Sequence, residues 1–298
     1  MIKKKTPLVS VIMNCYNGEL YLAEAIKSIL SQTYKNFEVI FWDNQSDDNS
    51  ANIYKSFKDK RLKYYYSKTH TSLYEARNLA ISKSRGKFIS FLDTDDLWSS
   101  NKLTLQIKKI KVKKVSLVYS NYYSLNQATG TKKVAYKKKL PEGIIFNELL
   151  KDYFIGINTV IMRKSIFLKN KEIFNKKFNI IGDFDLFTRI SKNFFFSSIQ
   201  EPLVTYRIHD KNFSKNNYKM FISEFKFWLN SNKLFCNNNF SYVKERILNM
   251  EVKLNILNKN YFISLKKIIQ ISSFIEKIKL LIFILLSIFF RNSKNNYL

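Results

Sequence analysis

The sequence predicts an α/β fold: a doubly wound, mostly parallel sheet with a helical extension at its C-terminal end. Three observations carry that prediction. Apolar runs rich in β-branched and aromatic residues alternate with segments of helical period through residues 8–92, the order that winds a parallel sheet. Two of those runs, 37–42 and 87–92, stop in clustered acidic residues, and the carboxyl edge of such a sheet faces the ligand crevice. After about residue 215 the strand patterns cease and long, basic, helix-period segments follow, which divides the chain into a sheet domain, 1–215, and a helical region, 216–298.

Residues 8–13 follow Pro7 and end in the polar turn 14–18, as a first buried strand does. This apolar run is too short for a secretory leader and lacks a small-residue cleavage site, so a cytoplasmic protein is expected. Residues 19–32 carry Leu22, Ala25, Ile26, Ile29 and Leu30 at helical spacing. A second strand at 37–42, a short helix at 50–57 and a third strand at 62–66 follow. The helix at 72–83 has Leu73, Ala76, Ala80 and the flanking Leu79 and Ile81 as its apolar side, and the strand 87–92 closes the alternation. Beyond it come an amphipathic helix at 101–111, a strand at 115–123, a basic loop or hairpin at 131–139, a short helix at 144–151 and a short strand at 158–163. A helix opening at Gly182 precedes two late strands, 194–199 and 203–208, and then helices at 219–235 and 242–257.

At 298 residues the chain can bury a large core. Its 6 Gly and 3 Pro against 16% aromatics exclude a linker or a disordered tail. Lys and Arg number 51 against 23 Asp and Glu, a formal net charge of +28. That excess asks for an anionic partner: nucleic acid, an acidic membrane surface or a phosphorylated substrate. The cysteines, Cys15 and Cys236, lie far apart and outside any CxxC or Cys/His spacing, which argues against a zinc site or a disulfide scaffold.

The stretch 86–98, GKFISFLDTDDLW, ends its apolar run in Asp93, Asp95 and Asp96. Extended backbone points Asp93 and Asp95 to one side. Two oxygen donors on one side suit a hard divalent cation, Mg²⁺ or Mn²⁺, which can in turn hold a diphosphate. The plainer alternative is a cap on the next helix, supplied by Asp96 or Ser99. The other acidic cluster, Asp43 to Asp48, lies at the same edge of the same sheet, so two groups distant in sequence meet at one crevice.

Five segments, VSVIMNCYN (9–17), FWDNQSDDNS (41–50), EARNLAISKSRGKFISFLDTDDLW (75–98), GDFDLFTRIS (182–191) and YRIH (206–209), resemble in order and spacing the GT-A glycosyltransferases of glycosyltransferase family 2. The resemblance covers about residues 7–215. It implies a Rossmann-like GT-A sheet and an inverting transfer of a sugar from a nucleotide diphosphate sugar to a hydroxyl of a glycan or lipid-linked acceptor, in cell-surface polysaccharide or lipopolysaccharide assembly. It also implies Asn14 and Tyr16 at the nucleoside and Asp43 at the base. Arg77 would sit near the diphosphate or its supporting carboxylates, with a surface salt bridge as the plainer alternative. Asp93 would touch ribose or metal, Asp95 would ligate the metal, Asp96 would support the site or cap the next helix, and His209 would lie near the metal or diphosphate. Inversion needs a base on the acceptor's side of the sugar. The family takes it from a Glu-Asp pair that opens a helix; here the pair reads Gly182-Asp183. Asp183 is then the expected base, with Asp185 behind it, and the acceptor contacts lose their usual Glu.

Two other functions share some of these features. Nucleotidyl transfer also uses a doubly wound sheet with carboxylate-bound Mg²⁺, but residues 15–25 lack a Gly-rich, basic triphosphate loop. Nucleic-acid binding would use the +28 charge, but no helix-turn-helix, zinc finger or aromatic-basic strand pattern supports it, so no nucleic-acid partner is expected. The run 280–290, LLIFILLSIFF, has eleven residues, short of the roughly 20 that span a bilayer. With Lys266, Lys267, Lys277 and Lys279 beside it, it fits a helix lying in an anionic membrane interface, or else one docked on the domain. The first alternative makes the protein peripheral on the inner face of the cell membrane.

Overall fold

The structure, a computed structural model, describes residues 6–167, 173–232 and 240–289. Cys236, Phe290 and the end of the helix expected at 219–235 lie outside the described residues. The chain divides into two compact units, one of Met1–Leu149 with Tyr153–His209, the other of Leu150–Asp152 with Asp210–Leu298.

In the first unit β1 (Val9–Cys15), β2 (Phe37–Asp43), β3 (Leu62–Tyr66) and β4 (Phe88–Phe91) are parallel in the order β3-β2-β1-β4. Winding reverses between β1 and β4, which makes their carboxyl ends the switch point of the sheet. Both faces of β1 and β2 are covered, so these strands read as continuous apolar runs; Val9, Val11, Val39, Ile40 and Phe41 are fully buried. On one face α1 (Glu19–Leu30), α2 (Ser50–Ser56) and α4 (Lys102–Ile110) contribute Leu22, Ile29, Tyr54, Leu103 and Ile107 to the core. The connection from β3 to β4, α3 (Leu73–Ser82), packs against β1 and β2. Ser72 caps it by accepting from the Glu75 N–H. The buried side of α3 differs from the expected one: Tyr74 and Arg77 are inside, while Leu79 is exposed. Tyr74 and Arg77 find ring and carboxylate partners there that pattern alone does not reveal.

Beyond β4 the sheet becomes mixed. β8 (Ile161–Arg163) runs antiparallel to β4, β6 (Val115–Asn126) antiparallel to β8, and β9 (Phe195–Ile208) parallel to β6. β5 (Leu97–Trp98) pairs antiparallel with β9, and β7 (Lys132–Val134) forms a basic hairpin on β6. The expected parallel arrangement therefore holds for the first four strands and for the β6–β9 pair, with β5, β7 and β8 antiparallel. The two late strands expected from sequence are one strand; the break around Pro202 survives only as register irregularities opposite Ser120–Tyr122, because proline has no N–H for the ladder. The strand expected at 158–163 is shortened by a 3₁₀ turn, Ile157–Thr159. β5 is too short to leave a period. α5 (Phe146–Lys151) and α6 (Gly182–Ser191) complete the helices before the second unit.

The second unit carries α7 (Phe213–Asn216), α8 (Tyr218–Ser231), α9 (Phe240–Leu257), α10 (Tyr261–Ile269) and α11 (Phe274–Phe289). Its last three helices share a small core of Val252, Ile256, Ile268, Ile271, Leu280 and Ile284. Other apolar side chains of the same helices face out: Phe262 is 70% exposed, Ile269 74%, Phe274 74% and Ile275 66%. Among the described residues no helix is long and apolar enough to cross a membrane.

Candidate functional site

Three parallel strands deliver their following loops to one rim. Cys15 and Asp43 are register partners, and the Leu92 N–H donates to the Ile12 carbonyl just beyond β4. The Asp43 carboxylate is fully buried; it accepts from the Ser46 N–H at 2.8 Å and the Tyr64 hydroxyl at 2.6 Å. Burial, then this bond, pushes the Tyr64 phenol up. The loop after β1 is laced to the one after β2: the Asn17 N–H donates to Ser46 Oγ, Asn17 Oδ1 accepts from the Asp47 N–H, and the Glu19 N–H donates to Asp48. A Cβ on Gly18 would stand 2.7 Å from Thr94 Oγ1, so only glycine lets this loop touch the Asp93–Asp95 turn. Tyr16 projects from it, 56% exposed, edge-on to His70 with ring centroids 4.5 Å apart. His70 Nδ1 lies 2.9 Å from the Asn44 carbonyl. At the end of β1 both polar atoms of the Asn14 amide are buried without a hydrogen-bond partner among the described residues. Each such group costs about 1–3 kcal/mol until something satisfies it, as a bound ligand or an ordered water can.

The acidic turn after β4 is held from three sides. Asp93 Oδ1 accepts from Arg77 at 2.7 Å, its N–H donates to Asn158 Oδ1 at 2.8 Å, and its Oδ2 accepts from Asn158 Nδ2 at 3.1 Å. The same Asn158 amide donates to Asp96 Oδ2. Asp96 is buried and its Oδ1 takes the Arg207 N–H at 2.8 Å; it supports the site, whereas Asn101 stands at the N-cap of α4. Burial first, then the Asp95 and Asp93 charges, push the Asp96 carboxyl well above the usual carboxylate range. Arg207, also buried, donates to the Asp95 carbonyl and to Glu24, and lies over the Tyr21 ring. His209 Nε2 meets Asp95 Oδ2 at 3.0 Å. Beneath the turn, Trp98 Nε1 donates to the Asn158 carbonyl, and fully buried Lys102 sits 3.9 Å over the Trp98 ring.

α6 brings the fourth carboxylate. Asp183 stands in its first turn, where Oδ1 accepts from the Phe184 N–H at 2.8 Å and the Tyr74 hydroxyl at 3.2 Å. It keeps partial solvent access yet is surrounded by protein at longer range. That burial raises its pKa, and the Arg77 charge only partly offsets it. Asp185, by contrast, is buried and ion-paired to Arg189 at 2.9 Å. Arg77 is 3% exposed; it bonds Asp93, and its charge also acts on Asp183.

The structure thus gathers Asp93, Asp95, Asp96 and His209 at one turn. It sets Asn14, Tyr16 and Asp43 at the ends of adjacent strands, with the Arg77 charge acting on Asp183. Arg77 is a buried support of the carboxylates, not a surface ion pair. Asp95 and His209 are both donor types that a divalent cation takes, and they meet each other directly at 3.0 Å. Among the described residues no three His, Cys, Asp or Glu side chains form a fuller set. Sequence reasoning passed over Asn158, Arg207 as a buried anchor, His70 and Tyr74. Only Arg207 had a signal, within YRIH; the others carry neither charge pattern nor periodicity.

Comparison with known proteins agrees with this architecture. The family described as Glycosyl transferase family 2 matches residues 10–189. The Escherichia coli protein named UDP-Glc:alpha-D-GlcNAc-diphosphoundecaprenol beta-1,3-glucosyltransferase WfgD is 33% identical over 71% of this chain and 81% of its own. The putative teichuronic acid biosynthesis glycosyltransferase TuaG of Bacillus subtilis is 29% identical over 72% of this chain and 84% of its own. The crystal structure of S. aureus TarS 1-349 in complex with UDP-GlcNAc superposes with a TM-score of 0.59 at 18% identity, covering 82% of this chain and 80% of that one; that likeness shows the GT-A-type fold.

Proposed function

This chain belongs to glycosyl transferase family 2, and on that premise we propose that it transfers a sugar, with inversion, from a UDP sugar to a hydroxyl of a lipid-diphosphate-linked glycan during surface polysaccharide assembly. The donor and acceptor classes in the E. coli relative's name support that choice. The unsatisfied Asn14 amide and the projecting Tyr16 ring receive the nucleoside, and Asp43, held by Tyr64 and Ser46, offers its remaining lone pairs to the base. Asp95 and His209 would hold Mg²⁺ or Mn²⁺, which would neutralise the departing diphosphate as a Lewis acid. Asp93 would contact the ribose or the metal. Asp183 takes the proton of the acceptor hydroxyl as that oxygen attacks the anomeric carbon; its raised pKa makes it a better base, at the cost of needing a higher pH to be ionised.

The observation that carries this reading is the acidic turn Asp93–Asp96 at the switch point of the sheet, held by Arg77, Asn158 and Arg207 with His209 against Asp95. The test is turnover of UDP-, GDP- and dTDP-sugars with and without Mn²⁺, in wild type and Asp95→Asn. Turnover of a UDP sugar that requires both metal and Asp95 is expected. Turnover indifferent to both would overturn the assignment. We further propose peripheral contact with an anionic membrane on its cytoplasmic face, supported by exposed Ile269, Phe274 and Ile275 beside Lys266, Lys267 and Lys277. Flotation with phosphatidylglycerol vesicles, but not with phosphatidylcholine ones, is the expected result.

A further inference from the structure

A position that breaks the family's Glu-Asp pair has a physical counterpart elsewhere in the fold. A Cβ built on Gly182 would lie 2.5 Å from Tyr74 Cδ2 and 2.6 Å from its Cγ and Cε2. Tyr74 is 2% exposed and its ring is boxed in by Phe174 and Arg77, with centroid distances of 5.2 Å to each. It cannot swing aside, so no side chain fits at 182 while Tyr74 is present. The Tyr74 hydroxyl reaches the Ile180 carbonyl at 2.8 Å and Asp183 Oδ1 at 3.2 Å, so its single proton is shared between the segment entering α6 and the carboxylate. The ionisable groups packed around this carboxylate are Tyr74 and Arg77 from α3, Tyr153 from the segment after α5, and Asp185 within α6 itself. The buried Tyr153 hydroxyl also lies near this carboxylate and, like that of Tyr74, lowers the Asp183 pKa.

We infer that Tyr74 is the positioning residue for Asp183: its ring occupies the place a residue-182 side chain would take, and its hydroxyl orients the carboxylate. This rests on Asp183 being the base, and it deepens that reading by naming what replaces the absent glutamate. The Tyr74 hydroxyl meets Asp183 Oδ1 at 3.2 Å, and the ring clash at 182 makes the pair Tyr74/Gly182 mutually dependent.

The experiment measures the Asp183 pKa in the full chain, from the pH dependence of the stability difference between Asp183 and Asp183→Asn, in Tyr74 and Tyr74→Phe backgrounds. Turnover of UDP-glucose with Mn²⁺ is measured alongside. Phenylalanine keeps the ring, so the fold is retained. Loss of a hydrogen bond to a charged group should move the Asp183 pKa upward by about one pH unit, and the acidic limb of kcat/KM should move with it while the donor KM stays put. An unmoved Asp183 pKa overturns the inference, whatever the turnover. A moved pKa with Asp183→Asn still fully active leaves the positioning intact and overturns the base. A second arm tests the ring: Gly182→Ala should lower the Tm, and Tyr74→Ala should relieve that loss in the double variant. Additive losses would sink the claim of mutual dependence.

Discussion

The two units put their chemistry in opposite places. The sheet unit hides polar and charged groups: Asp43, Arg77, Asp96, Lys102 and Arg207 are all buried, and each has a bonded partner. The helical unit shows apolar ones, with most of the apolar side chains of α11 at the surface beside a core of six buried residues. Burying charge is costly unless it is paired, and that pairing holds a site rigid. Exposing apolar area is also costly in water, and the cost vanishes only when something apolar covers it. The first unit is therefore preorganised, whereas the second leaves apolar area in contact with water.

The largest effect expected from breaking this contrast lies in the first unit. Asp183→Asn should cut transfer by about 10²–10⁴-fold, the range for removing a general base; wild-type-like rates in a donor-consumption assay would remove Asp183 from the chemistry. Because the Asp183 pKa is raised, the wild-type rate should fall as pH drops through it and plateau above it. Its stability effect has the opposite sign: ionising a carboxyl whose folded pKa is raised costs stability as pH rises from the unfolded value to the folded one. Asp183→Asn should therefore be the more stable protein on the alkaline side of that window, as read by chemical denaturation.

Next in size is the second unit's surface. Replacing Ile269, Phe274 and Ile275 together by serine should weaken binding to anionic vesicles at least about tenfold, given about 1.5–3 kcal/mol for each fully buried apolar side chain. Helix content by circular dichroism should not change, because none of the three belongs to the small core. Vesicle binding that survives the substitution would leave the exposed face unexplained.

Smaller again is Glu38→Gln in the sheet unit. Glu38 is 3% exposed, accepts from Ser10 at 2.7 Å and from the Arg85 N–H at 2.7 Å. Burial raises its pKa, but these bonds and the Arg85 charge outweigh it and the carboxyl ends below its ordinary value. A depressed folded pKa gives stability that is present above the unfolded value and lost as pH falls through the folded one. The substitution should cost about 1–3 kcal/mol at neutral pH and should flatten the acid side of the Tm profile. The smallest effect is expected for Glu251→Gln, which removes ion pairs to Lys226 and Lys267 in the helical unit. These partly exposed pairs are worth about 0.2–1 kcal/mol each, and high salt should mask the loss.

Much of the frame was legible in the residues. The strand-helix alternation to residue 92, the two acidic clusters and the change of character past β9 all follow from local composition and period. The antiparallel β8, the short β5 and the fusion of two expected strands into β9 were not legible, because they depend on which strand a segment pairs with. In α3 the pattern found Ala76, Ala80 and Ile81, which are buried, but it also pointed to Leu73 and Leu79 where the fold buries Tyr74 and Arg77.

The sequence by itself determined the class of sheet, the acidic groups at its edge, the candidate base at the opening of α6 and the basic, apolar tail. These are properties of near neighbours along the chain. Only the tertiary structure decided that Asn158 and Arg207 clamp the acidic turn and that Tyr74 fills the space at Gly182 beside Asp183. Those contacts join residues 62 to 111 positions apart, and which of many such pairs meets is set by the closing of the whole sheet and its helices, not by any local preference.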